Sequence, residues 1–183
     1  MIRQIKNGEL YFDGCSTLEL AEKYGTPLYV LSETDIVSRF SELRECFTDK
    51  YPDTRVAYAA KAFSTMAMYR LCQREGACID VVSAGELYTA IKAGFPPEMI
   101  EFNGNNKLPY EIEMALDDGI GRFIVDGLGE TDLIEAICRE KGKKASILFR
   151  ITPGVKSDSH DYMVTGKEDS KFGIPLDEDV LYP

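Results

Sequence analysis

The sequence predicts an α/β fold, in which successive strand–helix units build a parallel sheet. Short apolar stretches rich in β-forming residues alternate with stretches of about ten residues that have helical periodicity. This alternation repeats five times after residue 55. A glycine, the residue that most often ends a helix, follows three of the helical stretches, at Gly94, Gly119 and Gly142. Strands that alternate with helices in this way are typical of a parallel sheet.

The predicted elements follow one another at short intervals. A first strand is predicted at 28–31, and Ser32 or Thr34 then caps a helix whose apolar face includes Ile36 and Phe40. The repeating part is predicted as strand 55–60, helix 64–75, strand 78–82, helix 84–93, strand 100–102, helix 109–118, strand 122–125, helix 130–141 and strand 146–151.

Two architectures fit this rhythm, a doubly wound sheet and a (β/α)8 barrel. The strands read as apolar on both faces, as buried parallel strands do. No GxGxxG follows a strand and no Walker A motif is present, which disfavours a dinucleotide-binding sheet. The pattern therefore favours a (β/α)8 TIM barrel, incomplete here at about five units. Residues 177–183 resemble the opening of a helix, so we expect a fragment; a complete, smaller α/β domain is the alternative.

Composition excludes several classes of function. The net charge of −10 would repel a phosphate backbone, so a nucleic-acid partner is not expected. No apolar run approaches the ~20 residues of a membrane span, and no signal peptide begins the chain, so we expect a cytoplasmic protein. Five cysteines without a CxxC pair predict neither a disulfide framework nor a metal site.

Charged residues at the ends of predicted strands are the candidates for chemistry, because reactive groups cluster there in parallel α/β folds. Lys61 ends the first repeating strand among small apolar residues, where desolvation favours the neutral amine that forms a Schiff base. A lysine that reaches solvent from a strand end is the alternative. Asp80 lies inside an apolar strand and needs a cationic partner, for which Lys61 is a candidate.

Two further residues and one loop extend this set. Glu86 lies near a helix N-terminus, where the helix dipole alone favours an acid. Arg150 ends the last strand and suits a phosphate or carboxylate, or else a salt bridge at the edge of the core. The long loop 153–173 has the length of a binding loop, although His160 by itself reads as an ordinary loop histidine.

Five segments, in order, resemble fold-type III pyridoxal-phosphate-dependent decarboxylases. They are 24–30 (Tyr-Gly-Thr-Pro-Leu-Tyr-Val), 56–62 (Val-Ala-Tyr-Ala-Ala-Lys-Ala), 80–87 (Asp-Val-Val-Ser-Ala-Gly-Glu-Leu), 103–107 (Asn-Gly-Asn-Asn-Lys) and the run from His160 to Ile174. The last two segments resemble the diaminopimelate decarboxylases in particular. The resemblance covers residues 24–175.

The resemblance implies roles for individual residues. Lys61 is the catalytic residue that bears pyridoxal 5'-phosphate, and Asp80 and Arg150 join it in cofactor binding. Supporting or substrate-loop positions are Ser83, Glu86, His160, Ser170 and Lys171. The implied reaction is decarboxylation of meso-2,6-diaminopimelate to L-lysine, without a metal, in an enzyme expected to be a homodimer.

The same resemblance implies that the chain is the N-terminal part of such an enzyme. Residues 1–27 then belong to the C-terminal β-domain, and 28–183 form part of the barrel. The ring-stacking histidine, the glycine-rich phosphate loop and the interface residues of the family are not found in 1–183, so we expect little activity from the chain alone. Alternatives are an ornithine, arginine or carboxynorspermidine decarboxylase, an alanine-racemase-like protein, or a non-catalytic fragment.

Overall fold

The computed structural model describes residues 2–154 and 172–175. These divide into two compact units, residues 1–56 and residues 57–183, and each unit is described by itself. His160, Ser170 and Lys171, together with the helix-like end at 177–183, lie outside the described residues. No helix in the described part of the chain is both long enough and apolar enough to cross a membrane.

The first unit contains a small antiparallel sheet and two helices. Its sheet has the order β1-β2-β3, and the elements are β1 (Arg3–Lys6), β2 (Glu9–Phe12), β3 (Cys15–Ser16), α1 (Thr17–Tyr24), α2 (Glu33–Leu43) and a π-helical turn (Arg44–Thr48). Ser32 caps α2, since its Oγ accepts a hydrogen bond from the Asp35 amide at 3.0 Å. The predicted helix start is thereby confirmed.

The strand predicted at 28–31 is wrong. The structure has no regular element there, and Tyr29 is 93% exposed. A short apolar stretch becomes a strand only where a neighbouring strand bonds to it, and no described strand pairs with these residues. The apolar pattern alone therefore misled the prediction.

The second unit is the repeating part of the chain. It contains β4 (Ala57–Ala59), α3 (Met66–Arg74), β5 (Cys78–Val81), α4 (Ala84–Ala93), β6 (Ile100–Phe102), α5 (Pro109–Asp118), β7 (Arg122–Val125), α6 (Leu128–Lys141) and β8 (Ile147–Phe149). A separate parallel pair is formed by β9 (Ile151–Thr152) and β10 (Ile174–Pro175). Every predicted element of the repeat is thus present, with bounds shifted by a few residues.

The sheet topology decides between the two architectures. The five strands lie in the order β4-β5-β6-β7-β8, all parallel, and consecutive helices from α3 to α6 pack on one another. A doubly wound sheet would reverse its strand order at a switch point. Chain order without reversal is the pattern of a barrel wall, here with five of its strands.

The two faces of this sheet differ. One face is apolar and at most 1% exposed, with Ile79, Val81, Ile100, Phe102 and Phe123 on it. The opposite face aligns Ala59, Asp80, Glu101 and Arg122 in register across four strands. The expectation that the strands are apolar on both faces is therefore wrong for one face, which carries a charged row that includes an ion pair between Glu101 and Arg122 (3.3 Å).

Candidate active site

The carboxyl ends of the five parallel strands bring the candidate residues to one edge of the sheet. Lys61 follows β4, Asp80 lies near the end of β5, and Arg150 follows β8. Asn103 after β6 and Asp126 after β7 complete this edge. The three predicted residues therefore lie along one edge of the sheet, with Lys61 and Asp80 on neighbouring strands and Arg150 on the far strand.

Lys61 lies in a single 3-10 turn, Ala60–Ala62, directly after β4. The turn is anchored because Ala60 is fully buried and its carbonyl accepts a hydrogen bond from the Ser64 hydroxyl at 2.7 Å. Lys61 itself is exposed and makes no hydrogen bond or ion pair with another described residue. Its backbone is therefore fixed while its amine is accessible, and the expected desolvation is not observed.

Asp80 is half-buried, and its two oxygens have different surroundings. Oδ2 accepts a hydrogen bond from the side-chain Nδ2 of Asn103 at 3.3 Å, whereas Oδ1 is buried without a partner in the described part of the chain. Burial raises the pKa of this carboxyl, and the charges of Glu101 and Glu86 raise it further. The hydrogen bond from Asn103 and the charge of Lys61 lower the pKa, but the expected ion pair between Asp80 and Lys61 is not formed.

We expect Asp80→Asn to stabilise the fold at pH 7. The pKa of Asp80 is 3.8 in the unfolded chain and higher in the folded protein. At a pH between these two pKa values, the carboxyl is therefore mostly protonated in the folded protein and mostly ionised in the unfolded chain. The free energy of unfolding therefore falls as the pH rises between these two pKa values. The full loss due to the charged Asp80 is present above the folded-state pKa. Urea unfolding should show a higher midpoint for the variant at pH 7, and a gap that closes as the pH falls towards 3.8.

A buried acid with a partner provides the control for that variant. Asp126 is 8% exposed and accepts a hydrogen bond from Arg150, so Asp126→Asn should destabilise the protein at pH 7. A lower unfolding midpoint for Asp80→Asn as well would contradict the conclusion that the charge of Asp80 is not balanced by an ion pair.

Glu86 has the structural role that its position suggested and a second contact besides. Ser83 caps α4 by accepting from the Glu86 amide at 3.3 Å, while Glu86 Oε2 accepts from the Val82 amide at 2.7 Å. Its other oxygen, Oε1, lies 3.2 Å from the Ser64 hydroxyl, next to the turn that carries Lys61. Glu86 therefore joins the ends of β4 and β5.

Two other glutamates near helix starts repeat this arrangement, and the sequence analysis missed both. Glu111 accepts hydrogen bonds from the backbone amide of Leu108, at the start of its own helix, and from the backbone amide of Ala84, in the preceding strand–helix repeat. Glu130 binds the Asp126 amide and the ammonium of Lys107 in the same way. The sequence places an acid in the first turn of each of the helices α4, α5 and α6, but only the fold shows that each acid binds the preceding strand–helix repeat.

Lys107 is a second lysine at this edge, and its surroundings contrast with those of Lys61. Its side chain is 1% exposed. The ammonium donates to the carbonyls of Gly104 and Ile124 at 2.9 and 2.7 Å and to Glu130 at 2.5 Å. With three acceptors it is held as a structural cation, which leaves Lys61 as the accessible amine of the two.

Arg150 forms the salt bridge that the sequence offered as one alternative. Its Nη1 lies 3.2 Å from Asp126 Oδ1, and its guanidinium lies 4.4 Å from the centre of the Phe172 ring. The Arg150 carbonyl accepts from the Ile174 amide at 2.8 Å. A role for Arg150 towards a cofactor remains a prediction.

The amine of Lys61 and the carboxylate of Asp80 fit a cofactor that carries an aldehyde and binds covalently to a lysine. An exposed amine on an anchored turn can form a covalent link with an aldehyde. Oδ1 of Asp80 on the next strand, which is buried and has no partner among the described residues, can accept a cationic nitrogen. Within the described residues there is no group of three or more His, Cys, Asp or Glu side chains that could hold a metal ion.

Comparison with known families agrees with this chemistry. A family profile described as "Pyridoxal-dependent decarboxylase, pyridoxal binding domain" matches residues 33–182. The chain belongs to the pyridoxal-dependent decarboxylase family. Lys61, Asp80 and Asn103 all lie within the matched pyridoxal binding domain.

Relatives of this chain are similar to it over nearly its whole length. The diaminopimelate decarboxylase of Bacillus methanolicus is 52% identical over 171 residues, which are 93% of this chain and 40% of the relative. That of Bacillus subtilis is 50% identical over 95% of this chain and 40% of its own length. The chain thus spans about 40% of the length of these relatives.

Solved structures give the same result for the fold. Diaminopimelate decarboxylase from Methanocaldococcus jannaschii in complex with L-lysine is 40% identical, with a TM-score of 0.85 over 95% of this chain and 41% of that one. Lysine/ornithine decarboxylase from Vibrio vulnificus, in complex with putrescine, is 24% identical with a TM-score of 0.62, and this likeness shows the fold alone. The barrel prediction is confirmed for this chain.

Proposed function

We propose that this chain supplies the lysine-bearing part of a diaminopimelate decarboxylase, which converts meso-2,6-diaminopimelate to L-lysine. The observation that carries the proposal is the accessible Lys61 amine on an anchored turn inside a pyridoxal binding domain. Beside it lies Oδ1 of Asp80, which has no partner among the residues that the structure describes. The choice of substrate is supported by relatives at 40–52% identity that are named diaminopimelate decarboxylases and by the L-lysine in a related structure.

Each residue contributes a separate part of this chemistry. Pyridoxal phosphate, when bound, supplies the electron sink for the carbon that loses CO2. Lys61 binds the cofactor through Nζ, and the same atom can carry a proton at the reacting centre. The Asp80 carboxylate stabilises a positive charge on a neighbouring nitrogen, and Glu86 keeps the strand ends of both residues together.

The remaining expectations belong to the same proposal. They are cofactor binding by Arg150, supporting roles for Ser83, His160, Ser170 and Lys171, pairing of residues 1–27 with a β-domain, a homodimer and a cytoplasmic location. An ornithine, arginine or carboxynorspermidine decarboxylase would use the same lysine and fold. Relatives at 40% identity and above favour diaminopimelate.

A hybrid enzyme tests the proposal, because the chain matches 40% of its relatives. In the hybrid, this chain replaces the matched segment of the Bacillus subtilis enzyme. We expect the hybrid to release CO2 from meso-diaminopimelate in the presence of pyridoxal phosphate and to restore growth of a lysine-requiring strain. A folded hybrid that releases CO2 from ornithine or arginine instead would overturn the choice of substrate, and one that acts on none of these would overturn the proposed activity.

A further inference from the structure

Asn103 occupies the junction between the ends of β5 and β6. Its backbone amide donates to the Val81 carbonyl at 2.8 Å, which extends the contact between the two strands by one residue. Asp80 lies on β5 directly beside this junction. The side chain of Asn103 therefore starts from a fixed backbone position next to the Asp80 carboxyl.

The orientation of the Asn103 amide group is set by a second contact. Its Oδ1 accepts a hydrogen bond from the Gly104 amide at 2.9 Å, so Nδ2 is the end that faces Asp80 Oδ2, at 3.3 Å. A flipped amide would lose the Gly104 contact and set an oxygen against the carboxylate. Asn103 can therefore act only as a donor towards Asp80.

This contact divides the Asp80 carboxyl into one occupied and one open oxygen. We propose that Asn103 is a positioning residue for Asp80, which holds Oδ2 and keeps the buried Oδ1 open as the acceptor for a cationic nitrogen. The identity of that ligand, which is the nitrogen of Lys61 or of an amino-acid substrate, rests on the proposed function. The hydrogen bonds of Asn103 are independent of the proposed function.

The charges around Asp80 make the hydrogen bond from Asn103 consequential. Glu101 faces Asp80 from β6, Glu86 from α4, and Lys61 from the turn after β4. Burial raises the pKa of Asp80 most and the two glutamates add to this rise, while Asn103 has the largest opposing effect. Without Asn103, the charged form of Asp80 loses its one hydrogen-bond donor in the described part of the chain.

Carbon-13 NMR titration of the Asp80 carboxyl in the 183-residue chain tests this directly. The signal is assigned by its loss in Asp80→Asn. We expect Asn103→Leu to raise the Asp80 pKa by about one unit, the usual worth of one hydrogen bond to a charged group. Asn103→Asp, which keeps the Gly104 contact and the shape, should raise it more because two carboxyls then compete.

A neighbouring asparagine gives the matched control. Asn106 is exposed in the same loop, and Asn106→Leu should leave the Asp80 pKa unchanged. An unchanged Asp80 pKa in folded Asn103→Leu and Asn103→Asp would overturn the proposal.

Labelling of Lys61 distinguishes an effect of Asn103 through Asp80 from a general loss of structure in the variant. Pyridoxal phosphate and borohydride are applied, and labelling at Lys61 is quantified by peptide mapping against the exposed Lys144. Asn103→Leu should lower Lys61 labelling by roughly threefold to tenfold when Asp80 is present and leave it unchanged in the Asp80→Asn background. An equal loss in both backgrounds would contradict action through Asp80. An Asp80 pKa shift without any labelling of Lys61 would instead count against the proposed function and leave the role of Asn103 intact.

Discussion

Replacing Lys61 with arginine is expected to abolish decarboxylation by the hybrid enzyme, with a fall of at least about a thousandfold in kcat. Arginine keeps the positive charge and most of the length, but its guanidinium remains protonated and cannot form a covalent link with an aldehyde. Lys61 is exposed, so the substitution removes no buried contact. The loss should therefore be one of chemistry, measured as CO2 release, with an unchanged unfolding midpoint.

Two controls make the Lys61 result specific. Lys144→Arg, at an exposed position remote in sequence, should leave kcat within about twofold of the parent. Methylamine added to a Lys61→Ala hybrid should restore some activity, because a free amine can replace the missing one. Retention of more than a tenth of the parent kcat by Lys61→Arg would rule out Lys61 as the cofactor lysine.

Replacing Lys107 with methionine is expected to have the largest effect on stability, a loss of about 3–5 kcal/mol in the free energy of unfolding. The substitution keeps the apolar stem but leaves Glu130, whose side chain is 11% exposed, without its cation. Two carbonyl oxygens, of Gly104 and Ile124, lose their donor as well. Urea unfolding of the variant measures the loss.

Partner and surface variants show whether the loss has this origin. Lys107→Met combined with Glu130→Leu should recover much of the stability, because no buried charge is then unpaired. Lys143→Met, which removes an ion pair with Asp117 at a 39% exposed lysine, should cost less than about 1 kcal/mol. A cost below about 1 kcal/mol for Lys107→Met would contradict the structural role assigned to this lysine.

Strand ends could be predicted from the sequence because each one is a local pattern, an apolar stretch followed by a charged residue. Lys61 and Arg150 follow this pattern, whereas Asp80 is conspicuous as an acid inside an apolar strand. The repeat itself is predicted element by element. Asp126 follows β7 by the same rule and could have been found with it. The apolar stretch at 28–31 shows the limit of the rule, since a strand also needs a partner.

Contacts between successive strand–helix repeats could not be predicted from the sequence. Glu86 reads from the sequence as an acid favoured by a helix dipole, and Glu111 and Glu130 lie at similar positions in their helices. Nothing local indicates that each of the three reaches into the preceding strand–helix unit. The charged row on one sheet face was missed because Glu101, inside one predicted strand, and Arg122, at the start of the next, were read as parts of strands that are apolar on both faces. Register, which aligns them with Asp80, is a property of the folded sheet.

Identifying the lysine that binds pyridoxal phosphate is the most direct test of the central claim. The hybrid enzyme would be loaded with the cofactor, reduced with borohydride and digested, and the labelled peptide sequenced. The account predicts one major label, on Lys61, because its amine is accessible while that of Lys107 is enclosed by three acceptors. A label on Lys107 or on another lysine of an active hybrid, with Lys61 unmodified, would contradict it.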